Sequence, residues 1–149
     1  IISSLRGMHV FVPRNMVQAA GMYNTLLRAE EPALVIECLN GYRIKEFMPS
    51  NCGEFTVPLG KPEITRSGSD ITLLSYGSTF NLCSIAAENL SDLGIDVEIV
   101  DAQTLLPFEM NGLTAGSVSR TNRLVIVDED VPGGASAYLL DQVLNNQGD

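Results

Sequence analysis

The residues of this sequence best suited to chemistry are acidic side chains at the ends of predicted strands. Asp101 ends one apolar run, and the consecutive Asp128, Glu129 and Asp130 end another. In open α/β sheets, ligands bind at the carboxyl ends of the parallel strands. Clustered carboxylates there could hold a magnesium ion or contact a cationic partner. They could also cap the helices that follow, which the glycine turns and helical patterns after both positions favour.

Other candidate sites are weaker. His9, the only histidine, lies among apolar residues without a carboxylate or nucleophile beside it, which is typical of a packed histidine and not of a general base. Gly77 stands between a predicted strand and a predicted helix, where a phosphate could bind, but the GxGxxG spacing is missing. Cys38, Cys52 and Cys83 form no CxxC pair, so neither a disulfide framework nor a zinc ribbon is expected. Taken alone, these residues indicate no specific reaction.

The composition favours a folded, acidic protein. Of the 149 residues, 45% are hydrophobic and 18% are charged, which suits a packed core. The formal net charge of −9 disfavours binding to nucleic acid or to anionic membranes and is compatible with a basic protein partner. No apolar run approaches the roughly 20 residues that a membrane-spanning helix needs.

The apolar periodicity divides the chain into two parts. The first is predicted to be strand, helix and strand, at residues 8–12, 15–29 and 33–36, with Gly21 inside the helix indicating close packing. Residues 38–70 have poor periodicity and are interpreted as connection and linker. The second part alternates strands and helices. Strands are predicted at residues 71–75, 97–100 and 124–127, and helices follow them at residues 79–93, 111–120 and 135–144. Ser78 or Thr79 should cap the first of these helices and Gly94 should end it.

This alternation predicts an α/β fold. Strands that are apolar on both faces are typical of parallel sheets covered by helices. We therefore expect a three-layer α/β/α domain with a mainly parallel sheet at residues 71–149. A linker at residues 61–70 and a strand–helix–strand piece of a second α/β domain at residues 1–60 should precede it.

Five segments, in order along the chain, carry a family resemblance: LRGMHVFVPRNMVQAAGMYNTLL, EEPALVIE, VPLGKPEITRSGSDITLLSYGS, AAENLSDLGIDVEIVDAQTLLPFE and SVSRTNRLVIVDEDVPGGASAYL. With them the chain resembles the β-type subunit of the first component of thiamine-diphosphate-dependent 2-oxo acid dehydrogenases. The resemblance implies that residues 1–60 end a pyrimidine-binding transketolase-like domain. It also implies that residues 71–149 are a truncated transketolase C-terminal-like domain, without its final strand and helix.

The resemblance implies an oxidoreductase that uses magnesium-bound thiamine diphosphate to decarboxylate a 2-oxo acid and then acylates a lipoyl group. The family's catalytic glutamate, its substrate histidine and its GDG…NN motif match no position here, so no catalytic or cofactor-binding residue is expected and this fragment alone should be inactive. Its implied roles are assembly with the other half or α subunit, and docking of the basic subunit-binding domain of a lipoyl acyltransferase. The candidate interface residues are Asp101, Asp128, Glu129 and Asp130.

One metal site and one departure from the family pattern also follow from the resemblance. The carbonyls of Leu26 and Ala29 and the residue Glu31 match part of a structural potassium loop, although the family usually has Asn where this chain has Glu31. An ordinary helix C-terminus is the alternative, and the one we favour. Gln103 stands where the family usually has Arg. Any contact made at this position therefore lacks the positive charge and the bidentate hydrogen bonds of a guanidinium group.

Two other functions remain open from the sequence. The chain could be a stand-alone, non-catalytic interaction module of the same fold, or part of another transketolase-like enzyme such as transketolase or deoxyxylulose-phosphate synthase. The substrate also stays open among pyruvate, branched-chain 2-oxo acids and acetoin-type compounds. We expect a cytoplasmic location, or the mitochondrial matrix in a eukaryote, and a homo- or hetero-oligomer.

Overall fold

A computed structural model of the chain describes residues 6–147. The strands in that range are β1 (His9–Phe11), β2 (Ala33–Val35), β3 (Glu63–Arg66), β4 (Ile71–Ser75), β5 (Val97–Asp101), β6 (Thr104–Leu106) and β7 (Leu124–Ile126). The α-helices are α1 (Met16–Leu26), α2 (Thr79–Asp92), α3 (Leu113–Thr121) and α4 (Ala135–Asn146). A 3₁₀ helix, Leu39–Arg43, follows β2.

The larger sheet has four strands in the order β3-β5-β4-β7. β4 lies parallel to both β5 and β7, with Leu73 opposite Ile99 on one side and opposite Val125 on the other. The edge strand β3 runs antiparallel to β5. The sheet is therefore mainly parallel, as predicted. Residues 63–66 belong to the sheet as β3, although their poor periodicity had predicted a linker.

Helices cover both faces of this sheet. Leu73 points to one side, into a core with Cys83 and Ala87 of α2. Its neighbour Leu74 points to the other side, into a core with Ala115 of α3 and Leu139 of α4. All five residues of β5 are buried, since the strand is paired at both edges and covered on both faces. This is the predicted three-layer arrangement.

The smaller sheet joins the two parts of the chain. Its order is β2-β1-β6, with β1 parallel to β2 and antiparallel to β6. β6 comes from the later part of the sequence, only two residues after β5, yet its Leu106 lies opposite Val10 of β1. β1, α1 and β2 agree with the strand–helix–strand pattern predicted from the sequence, whereas β6 was not predicted.

Three local predictions can be compared with the structure. Gly94 has a φ of 77° directly after α2, the left-handed conformation expected of a helix-ending glycine. Gly21 lies against the Phe55 ring so closely that an added Cβ would overlap it, which confirms the close packing. The predicted hydroxyl cap of α2 is wrong: Ser78 is already in helical conformation and makes no capping bond, because its hydroxyl bonds Glu129 instead.

Candidate functional site

A cleft of about 840 Å³ lies at the carboxyl ends of β4 and β7. Its walls are three connections: residues 36–40 after β2, residues 76–79 between β4 and α2, and residues 128–135 between β7 and α4. The cleft therefore lies between the two parts of the chain. It is also where the topology of a parallel α/β sheet leaves room for a ligand.

Asp128 is the most strongly held carboxylate of the cleft. It accepts hydrogen bonds from the Tyr76 hydroxyl at 2.5 Å, from the backbone N–H of Asp130 at 2.9 Å and from that of Ser136 at 3.0 Å. Burial and the hydrogen bond to Asp128 raise the pKa of Tyr76, so the phenol stays protonated as the donor. Tyr76 was not singled out from the sequence, because nothing local indicates its pairing with a residue on another strand.

Asp130 caps the beginning of α4. Its carboxylate accepts hydrogen bonds from the backbone N–H groups of Val131 at 2.8 Å and Ala135 at 3.0 Å, and these bonds lower its pKa. A side chain at Gly134 would overlap this carboxylate, so glycine permits the approach. Asp128 and Asp130 thus satisfy free N–H groups at a helix N-terminus, which is the capping role favoured from the sequence.

Glu129 and Glu37 complete the acidic rim of the cleft. Glu129 is exposed and accepts a hydrogen bond from the Ser78 hydroxyl at 2.7 Å. Glu37 accepts hydrogen bonds from the hydroxyls of Tyr23, at 2.6 Å, and Tyr42, which lower the pKa of Glu37. The same contact raises the pKa of Tyr23 to about 12. Among the described residues the cleft lining carries four carboxylates and no Lys, Arg or His side chain, so its electrostatics favour a cation.

Asp101, the fourth candidate interface residue, is buried and does not lie on the acidic rim with residues 128–130. Its carboxylate is fully buried and accepts hydrogen bonds from Arg14, from the Gln18 amide at 2.8 Å and from the backbone N–H of Gln103 at 3.1 Å. Burial raises the pKa of Asp101, and the pairing with Arg14 opposes this rise. In this structure Asp101 has no surface to offer a partner.

Arg14 is the centre of this second polar network. It pairs with Asp101 and, at 2.6 Å, with Glu63 of β3, while its guanidinium lies 5.1 Å from the centre of the Phe80 ring. Burial disfavours the charged form, but the two carboxylates outweigh it and raise the pKa of Arg14. Gln103, predicted as a departure from the family pattern, bonds the Gln18 amide and the Lys61 carbonyl, each at 2.8 Å. The network ties the turn after β1 to the carboxyl end of β5.

The proposed potassium loop lies apart from the cleft, at the end of α1. The Leu26 carbonyl accepts a hydrogen bond from the Ala29 N–H at 3.1 Å, and the Glu31 carboxylate lies 3.5 Å from His9 Nε2. Within residues 6–147, His, Cys, Asp and Glu side chains form no group of three or more that could hold a metal ion. Carbonyl ligation of potassium by Leu26 and Ala29, with Glu31, stays a prediction.

Over the same described range, none of the helices has the length and apolar character needed to cross a membrane.

Comparison with known proteins identifies the family. Residues 60–148 match the transketolase C-terminal domain family. The chain is 33% identical to the β subunit of acetoin:2,6-dichlorophenolindophenol oxidoreductase of Bacillus subtilis, over 89% of this chain and 38% of that protein. It is 34% identical to the mitochondrial β subunit of 2-oxoisovalerate dehydrogenase of Chaetomium thermophilum, over 87% of this chain and 27% of the relative. It is 31% identical to the pyruvate dehydrogenase E1 β subunit of Staphylococcus aureus, over 87% of this chain and 39% of the relative.

The fold has a solved counterpart. A structure described as a split gene transketolase, inactive beta4 tetramer, superposes with a TM-score of 0.77 at 21% identity, covering 95% of this chain and 46% of the other. The chain thus spans less than half the length of each of these proteins. It belongs to the transketolase C-terminal domain family, and its predicted resemblance to the β subunits of 2-oxo acid dehydrogenases is confirmed.

Proposed function

We propose that this chain is a region of the β-type subunit of a thiamine-dependent 2-oxo acid dehydrogenase. The observation that carries the proposal is the similarity across 87–91% of the chain to β subunits named for three different substrates: acetoin, 2-oxoisovalerate and pyruvate. The oxidative decarboxylation of a 2-oxo acid and the reductive acylation of a lipoyl group would be the activity of the assembled enzyme.

This region would serve assembly and docking. The Nε2 atom of the single histidine, His9, lies 3.5 Å from the Glu31 carboxylate, at the end of α1 and apart from the cleft. Within residues 6–147, no three His, Cys, Asp or Glu side chains form a group that could hold magnesium. Thiamine diphosphate and magnesium would supply the carbanion chemistry when they are bound elsewhere in the enzyme. No step of the reaction is assigned to the residues of this chain.

The acidic cleft supports a basic docking partner. Asp128 and Asp130 are held by the α4 N-terminus, while Glu129 stands exposed at the rim. We infer that the exposed Glu129 and Asp130, with the partly buried Asp128 beside them, contact a basic subunit-binding domain of the acyltransferase. Electrostatic steering of such a partner should weaken as salt rises, because exposed charges are screened within about 8 Å at physiological ionic strength.

The enzyme activity can be tested with the complete reading frame that encodes this chain. The full protein, expressed with any α-type partner encoded beside it, is assayed with pyruvate, a branched-chain 2-oxo acid and acetoin, with dichlorophenolindophenol as electron acceptor. We expect turnover of at least one substrate that depends on added thiamine diphosphate, and none from residues 1–149 alone. Absence of turnover with all three substrates would count against the proposal and in favour of the interaction module.

Docking is tested separately. Binding of a basic subunit-binding domain to the full protein is measured at low and high salt, for the natural protein and for Glu129→Gln. The variant should bind more weakly and show a smaller salt dependence, because one exposed charge is gone. The matched control is Glu88→Gln on the exposed side of α2, which should bind like the natural protein. Equal effects of both substitutions would exclude docking at the cleft.

A further inference from the structure

The dipeptide Asn-Gly occurs twice in the chain, at residues 40–41 and 111–112. In this dipeptide the asparagine side chain can react with the backbone that follows it, because glycine has no side chain to hinder the approach of its nitrogen to the amide carbon. The reaction needs a backbone N–H that is free to lose its proton and room for a five-membered ring to close. Hydrogen bonding and packing of that N–H therefore decide which site reacts in the folded protein.

The first site, Asn40-Gly41, is protected. Both residues belong to the 3₁₀ helix Leu39–Arg43, and the Gly41 N–H donates a hydrogen bond to the Cys38 carbonyl at 2.9 Å. A Cβ added to Gly41 would lie 3.6 Å from that of Cys38, in ordinary van der Waals contact. The nitrogen that would have to attack is thus already engaged as a donor, with a neighbouring side chain packed beside it.

The second site, Asn111-Gly112, is open. Asn111 is exposed in the turn between β6 and α3, and Gly112 directly precedes α3. Within residues 6–147 the Gly112 N–H meets no acceptor, and a Cβ added to Gly112 would touch nothing within 4 Å. Gly112 has a φ of 66°, in the left-handed region that glycine adopts at little cost. The turn before α3 therefore favours, at position 112, the same residue that makes the preceding asparagine reactive.

We propose that Asn111 is a site of spontaneous deamidation in the folded protein and that Asn40 is not. The deprotonated Gly112 nitrogen attacks Cγ of Asn111, a C–N bond forms, and the side-chain amide nitrogen takes up a proton and leaves as ammonia. Water then opens the resulting succinimide ring. Cleavage of the new C–N bond gives aspartate, whereas cleavage of the original peptide bond gives isoaspartate, whose backbone runs through the side-chain carbons. The net reaction consumes water, releases ammonia and needs neither oxidant nor reductant.

The two products should affect α3 differently. α3 has no acidic residue in its first turn and begins after a glycine, which has no side chain to cap it; the Glu109 carboxylate bonds only the Ala115 N–H, at 3.0 Å. Aspartate at position 111 would bring a negative charge to this helix N-terminus, where it is favourable. Isoaspartate would instead lengthen the backbone immediately before Gly112 and displace the left-handed turn. Either product changes the formal net charge from −9 to −10.

The test is incubation of the folded 149-residue chain in mildly alkaline buffer, followed by peptide mapping with mass spectrometry. Deamidation is read from the mass gained when an amide NH₂ becomes a hydroxyl, and from the added negative charge in isoelectric focusing. We expect Asn111 to convert at least about fivefold faster than Asn40, the factor that corresponds to one protecting backbone hydrogen bond. The matched control is the same chain unfolded in guanidinium chloride, where both sites should convert at similar rates because the structural protection is gone.

Two variants assign the reaction and its effect on α3. Asn111→Gln should abolish the fast conversion, since glutamine would have to close a less favourable six-membered ring. Asn111→Asp supplies the aspartate product alone. The isoaspartate fraction of the incubated chain, separated by chromatography, should unfold at a lower urea concentration than Asn111→Asp, and an equal midpoint would overturn the predicted effect on α3.

Three results would overturn the proposed site. They are conversion of Asn40 as fast as that of Asn111 in the folded chain, absence of conversion at Asn111, and a preference for Asn111 that persists in the unfolded chain. The last result would show that the fold is not the cause of the preference. Peptide mapping requires neither turnover nor a partner, so this inference stands apart from the proposed function.

Discussion

Replacing Asp101 by Asn tests whether the buried network around Arg14 stabilises the fold. The substitution keeps the size of the side chain but removes the charge that pairs with Arg14, and it turns an amide NH₂ toward groups that are themselves donors, Arg14 and Gln18. The Asp101 side chain is 0% exposed, and that of Arg14 is 20% exposed. Breaking a buried pair by removing one partner costs about 3–5 kcal/mol. Small domains have about 5–15 kcal/mol in total, so a large fraction of the stability should be lost.

Glu63→Gln is the matched control because it removes the other carboxylate from the same arginine. Glu63 is 2.6 Å from Arg14, but 46% of its side chain is exposed. Water screens such a pair, so the expected loss is below about 1 kcal/mol. The assay is urea unfolding of the 149-residue chain at pH 7, followed by circular dichroism. Free energies of unfolding are compared between variants whose m values, the dependence of that free energy on urea concentration, are the same. Equal losses of stability in the two variants, or a smaller loss in Asp101→Asn than in Glu63→Gln, would show that the buried Arg14–Asp101 pair does not stabilise the fold.

Three further predictions concern individual contacts, each measured by the same unfolding assay. Gly21→Ala should destabilise the chain, because the new methyl group overlaps the Phe55 ring. This loss should exceed the gain in helix propensity of about 1 kcal/mol. Adding Phe55→Leu to the same chain should recover part of the lost stability. If Gly21→Ala is stabilising, the packing at Phe55 is looser than described. Tyr76→Phe should cost about 1.5–3 kcal/mol, since it removes the hydrogen bond to the Asp128 carboxylate, and a neutral result would contradict that bond. Asp130→Asn should destabilise the chain at pH 7 but not well below pH 3.8, the ordinary pKa of Asp. The pKa of Asp130 is lowered in the folded state, so its stabilisation is complete above the unfolded pKa and is lost as pH falls through the folded value. A difference between Asp130→Asn and the natural protein that is independent of pH would show that the charge of Asp130 does not stabilise α4.

Much of the fold was predictable because its signals are local. The apolar runs of β4 and β5 and the apolar stripe of α2 are properties of consecutive residues. Gly94 ends a helix because glycine adopts positive φ at little cost. The capping role favoured for Asp128 and Asp130 rested on the same kind of signal, an acidic pair followed by glycines and a helical pattern.

The errors arose where a partner distant in sequence decides the structure. β3 and β6 were not predicted, and each exists because it pairs with a strand elsewhere along the chain, β3 with β5 and β6 with β1. Ser78 looked like a helix cap, but Glu129, 51 residues later, takes its hydroxyl. Asp101 and the trio at 128–130 both follow strands, and only packing decided that one is buried beside Arg14 while the others border a cleft.

The sequence by itself therefore determined the fold class, most of the helices and strands, and the family, because periodicity, turn residues and the segments that resemble the family are all encoded along the chain. Tertiary structure alone decided that β6 crosses to β1 and that Arg14 joins Asp101 and Glu63 in one network. These are relations between residues tens of positions apart. Their energies depend on burial and distance, which exist only once the chain is packed.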